Sequence, residues 1–203
     1  MRVGLNTVVL ILCTILCTGC AQLDVRSGYH LAPTSRNGIA AVGLTASDNI
    51  PEFVWHLRRV GTSESIDVVF HTIYNPLMWT NPRGRLAMFE LEQSDYEIFD
   101  WSEGRLSPTE FFRIPFSVRA GRVTYLGRLH LNLNARMTRF EIKSQNQYSD
   151  DYAILRKKIP NLAPESVDQV EPMMQRCAEA DCKKPIYGSF GTSIVIPIIV
   201  RSR

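Results

Sequence analysis

Histidine is scarce in this chain: only His30, His56, His71 and His130 occur among 203 residues. None makes the i, i+4 pair that a helical zinc site uses. The strand-borne ones read as surface or hydrogen-bonded core residues. No glycine-rich loop is built to cradle phosphate. Gly188-Ser189-Phe190-Gly191 is not the strand-to-helix elbow of a serine hydrolase, and reads as a turn. Asp95, Glu97 and Asp100 surround one segment without the regular oxygen spacing of a calcium loop. A net charge of +3 is too small to point to nucleic acid. No internal repeat and no low-complexity tract is visible. Together these absences give the expectation of a non-catalytic protein without metal or cofactor.

Long hydrophobic runs are also missing. The uncharged stretch Val8–Cys17 is about half of the roughly 20 residues that a membrane-spanning helix needs. With Met1-Arg2 before it and small Thr18-Gly19 after it, it has the layout of a secretory signal peptide over residues 1–19. Leu16-Cys17-Thr18-Gly19-Cys20 resembles the bacterial lipobox, with Cys17 where that family usually has leucine. The resemblance implies cleavage before Cys20 and diacylglycerol on its thiol, hence a membrane held through an N-terminal lipid. Ala21-Gln22 after the cysteine, in place of aspartate, implies an outer-membrane destination in the cell envelope. Five cysteines then reduce to one even pair, because Cys13 and Cys17 leave with the leader and Cys20 is acylated. An oxidising compartment favours a disulfide between Cys177 and Cys182, with two free thiols or metal binding as the alternatives.

What is abundant is strand pattern. Residues 20–37 carry few apolar side chains and read as a tether. Beyond them, 38–44, 53–60, 65–73, 85–91 and 96–101 read as strands, with polar or glycine-bearing turns between consecutive ones. In 112–134, Phe112, Ile114, Phe116 and Val118 alternate with polar residues, and Val123, Tyr125, Leu129, Leu131 and Leu133 continue the pattern. A turn at Ala120-Gly121 predicts a hairpin with all these residues on one face and Gly127 opposite Ile114. Residues 139–145 add a strand with Phe140 and Ile142 inward. A helix is predicted near 149–160 from Tyr152, Leu155 and Ile159, and a second from Pro164 along Val167, Val170 and Met174. Residues 193–200 read as a last apolar strand.

The expected architecture is therefore mainly β: an antiparallel β-sandwich over 38–203 with one or two short C-terminal helices near 149–178. The hairpin-like stretch 85–145 resembles small bacterial lipoproteins and the transthyretin-like or carboxypeptidase-regulatory-like sandwich. The residues that carry this are Leu91, Tyr96, Ile98, Val118, Gly121, Val123, Tyr125, Leu126 and Gly127. They are fold-forming, so the resemblance implies little about function.

Two sets of side chains are candidate contacts. The predicted hairpin stacks Arg119 on Arg122 and Arg113 on Arg128, a basic stripe suited to an anionic partner. Leu77, Met78 and Trp79 are presented by a proline-bounded loop, 75–82, that could anchor a partner. The expected function is a tethered adaptor or accessory subunit contacting another envelope protein. A glycan- or lipid-binding module is the alternative.

Overall fold

The computed structural model describes residues 25–46, 52–63, 65–71, 78–80, 83–104, 107–108, 110–134, 140–178 and 182, with backbone alone for 52, 70, 71, 78–80 and 83. Its strands are β1 Asn37–Ala46, β2 Glu52–Arg59, β3 Ser65–His71, β4 Met78–Thr80, β5 Arg83–Glu92, β6 Ser94–Ser102, β7 Phe112–Val118, β8 Val123–Leu133, β9 Phe140–Gln145, β10 Val167–Gln169 and β11 Gln175–Arg176. Among the described residues one helix, α1, spans Tyr148–Lys158, and Pro164–Ser166 form a 3₁₀ turn.

Two sheets result. The first has the order β10-β8-β1-β5-β4, with β9 also on β8; the second has the order β11-β7-β6-β2-β3. All ladders are antiparallel except β1–β8 and β10–β8. The sheets share one apolar cluster, with Val42, Phe89 and Leu129 from the first and Trp55, Ile98 and Phe112 from the second. β7 has one face in this cluster and one in solvent, so it alternates strictly, as read from sequence.

The first sheet is covered on its other face too. Ile39, Ala41, Met88, Val123 and Tyr125 pack there against Leu155 of α1 and Ile159 just past its end. Double coverage explains why β1 is buried along almost its whole length and is built from small and aliphatic residues. The acidic first turn and basic last turn of α1 suit its dipole.

Four expectations are corrected. First, 112–134 is not a hairpin: β7 and β8 belong to different sheets, so the chain at 119–122 crosses from one to the other. The same holds across Gln93, between β5 and β6. The expected single apolar face fails as well, because the β1–β8 ladder carries a bulge where Gly127 takes φ 71°. One extra residue flips the side-chain phase. Val123 and Tyr125 therefore face α1, while Leu129, Leu131 and Leu133 face the shared core.

Second, the segment after Pro164 forms one 3₁₀ turn and then β10, not a helix. Parallel pairing to the first residues of β8 outweighs a weak helical pattern interrupted by Pro172. Third, the described residues of the supposed tether are docked from Val25 onward. The Val25 N–H donates to the Met88 carbonyl, Lys158 Nζ donates to the Val25 carbonyl, and Asn161 brackets both backbone groups of Leu31. Val25 and Leu31 are buried in the cluster under α1, apolar positions too sparse to read as a pattern. Fourth, Met78 and Trp79 are in an edge strand paired to β5, not a loop. Leu77, Cys20 and the predicted strand 193–200 lie outside the described residues.

The β2–β3 hairpin, the strand at β9 and the helix α1 follow the sequence reading.

Candidate functional site

The four arginines do not form a stripe. Arg113 reaches Gln175 of β11. Arg122 forks onto Asp168 at 2.9 and 2.7 Å and also donates to the Glu165 carbonyl. Arg119, largely exposed, comes within 3.8 Å of the same carboxylate. Hydrogen bonding from Arg122 holds the Asp168 carboxyl below its ordinary pKa, against a smaller upward push from burial.

Arg128 points to α1, where it meets Asp151 at 2.6 Å. Asp151 is fully buried and also accepts the Tyr125 hydroxyl at 2.6 Å. Burial, then this hydrogen bond, pushes the Tyr125 phenol well above its usual value. Arg122 and Arg128 thus stitch β8 to the elements that cover it. Cys177 and Cys182 stand at disulfide distance, with Cα atoms 6.0 Å apart.

A groove of about 620 Å³ opens along the β7 edge. It is lined by Val60, Asp95, Pro115, Phe116, Arg119 and Val170, among others. Pro115 denies this edge one N–H donor. Val60 is 51% exposed, and Met173, in the segment joining β10 to β11, is 70% exposed.

The outer face of the second sheet carries a denser arrangement. Period 2 puts Phe53, Trp55 and Leu57 of β2 into the core and turns His56 and Arg58 outward. The hairpin register sets His56 opposite Asp67, and the β2–β6 ladder sets it opposite Asp100. A register shift between His56 and Leu57 in that ladder accompanies the change of facing along β6.

His56 Nδ1 lies 2.8 Å from Asp67 Oδ1, and His56 Nε2 lies 2.9 Å from Ser102 Oγ. Beside them, Arg58 Nε donates to Glu97 at 2.6 Å and its guanidinium lies 4.5 Å from the Phe99 ring centre. His56, Arg58, Glu97 and Asp100 are all buried, although they point away from the shared core. The hydrogen bond from His56 is the main influence holding the Asp67 carboxyl below its ordinary value.

Sequence reading passed over this group. Counting back across the three-residue link Gly61-Thr62-Ser63 would set His56 opposite Val68; the observed register is one residue off that count and sets it opposite Asp67. Ser102 joins them only through a non-local, bulged ladder. Among the described residues, no three of His, Cys, Asp and Glu converge as a metal ion would need.

No known protein family, curated protein or solved structure matches this chain.

Proposed function

We propose that this is a lipid-anchored envelope protein, held in the outer membrane through Cys20, with a β-sandwich body that contacts another envelope protein. The observation that carries the anchor is the sequence Leu16–Cys20 behind a short apolar run. Two sheets closing on one apolar cluster support the sandwich. The groove beside β7, flanked by the exposed side chain of Val60, supports a contact surface there.

The test is intact-mass analysis of protein extracted in detergent, together with photo-crosslinking from Val60 in cells. A lipid mass on Cys20, absent in Cys20→Ala, is expected. So is one stoichiometric crosslinked protein that diminishes when the anchor is removed. An unmodified Cys20 refutes the anchor. A lipidated protein without any crosslinked partner refutes the adaptor.

A further inference from the structure

We propose that Ser102, His56 and Asp67 form a nucleophilic site on the outer face of the second sheet, with Ser102 acting on a carboxylic ester. The inference stands on geometry and does not depend on the anchor or on the groove.

Hydrogen-bond logic fixes the roles. A carboxylate only accepts, so the 2.8 Å contact places a proton on His56 Nδ1. With that proton on Nδ1, the base form of the ring carries its lone pair on Nε2, 2.9 Å from Ser102 Oγ, where the serine hydroxyl can donate to it. Asp67 is held in its charged form by the same bond, with Ser65 Oγ donating to it as well. The nucleophile, base and orienting group thus come from β6, β2 and β3, three neighbouring strands of one sheet. Such groups are recognised by geometry and role, not by their order in the chain.

Burial and access are divided as this chemistry requires. His56 is 7% exposed, and its ring is flanked by Phe99. The charged groups packed around it are Asp67 and Asp100 on the neighbouring strands and the Arg58–Glu97 pair along the sheet. Ser102 is only half-buried and ends β6. Two residues on, Gly104 turns the chain at φ 56°, and a side chain there would meet nothing within 4 Å. Ser102 thus sits at the rim of the buried group, next to this turn.

The reaction balances with water as the only co-reactant. Ser102 Oγ bonds to the ester carbonyl carbon as its proton passes to His56 Nε2. The tetrahedral adduct breaks its bond to the alkoxy oxygen, which takes that proton and leaves as the alcohol. Water then attacks the acyl-serine, loses a proton to Nε2 and releases the acid, and Ser102 regains its proton. Ester and water become acid and alcohol.

The experiment exposes the full-length protein to a fluorophosphonate probe and locates the adduct by peptide mass spectrometry. Stoichiometric phosphonylation of Ser102 is expected, absent in Ser102→Ala. The rate should fall about 100-fold or more in His56→Gln, in line with the usual contribution of a positioned base. Asp67→Asn should slow it as well, while its thermal melt shows a folded protein. Labelling of Ser102 no faster than that of the other serines overturns the proposal. So does a rate unchanged by His56→Gln, since a purely structural hydrogen bond does not activate an oxygen.

Discussion

Replacing Asp151 by alanine should be the most damaging single change under α1. Asp151 is 0% exposed and holds two groups at once: the Arg128 guanidinium, through both Nε and Nη2, and the Tyr125 hydroxyl. Removing one partner of a buried ion pair costs about 3–5 kcal/mol, because the remaining charge loses its compensation. Arg128 has only 13% of its side chain exposed, so solvent can relieve it little. The Tyr125 hydroxyl adds part of the roughly 1–3 kcal/mol cost of an unsatisfied buried group. A total near 4–5 kcal/mol is expected once water has partly filled the gap, a large share of the ~5–15 kcal/mol of an ordinary domain. Urea unfolding followed by tryptophan fluorescence measures it. The companion variant Arg128→Met should remove most of the penalty, so that Asp151→Ala/Arg128→Met costs less than the sum of the two single changes. A loss under about 1 kcal/mol in Asp151→Ala, or strict additivity of the pair, would refute the assignment of this carboxylate as the clasp between α1 and β8.

Two further outcomes follow from other parts of the fold. Gly127→Ala should destabilise by about 2 kcal/mol, since a non-glycine residue at such a φ costs on the order of 1–3 kcal/mol. Its Cβ would also lie 2.7 Å from the Gln145 carbonyl oxygen, so hydrogen exchange should rise in β9 before β7. Asp168 has a folded pKa below its unfolded one, so its contribution is present above the unfolded value and is lost as pH falls through the folded one. Asp168→Asn should therefore flatten the part of the acid-unfolding curve below about pH 4 and leave the rest unchanged.

Local pattern was a good guide wherever one strand face meets solvent. The alternation of β7 and the hairpin of β2 with β3 could be read because their partners are near in sequence and their polar faces are distinct. β8 misled for a definite reason. Its aliphatic residues continue the odd-numbered positions across Gly127, and only the bulge shows that the two halves face different layers. β10 misled because a parallel strand added to a distant edge has no local signal. The candidate site had the same obstacle. His56 and Asp67 sit on one hairpin, whereas Ser102 reaches them through a ladder whose register no spacing rule predicts. The arginines were legible as a group but not as partners, since Asp151 and Asp168 belong to elements more than twenty residues away from them.

The docking of Val25 has a consequence for how far this protein can act. With the proposed lipid on Cys20, four residues separate anchor and body, so the five steps to Val25 span at most about 17 Å of extended chain. A body of this size is about 40 Å across, from the usual scaling of radius with length. Everything the protein touches must then come within roughly 60 Å of its own bilayer. The end of α1 where Lys158 holds Val25 is kept closest to the lipid. On that proposal the body would reach only what lies near its own membrane surface, and a partner on an opposing membrane would have to supply the missing distance itself.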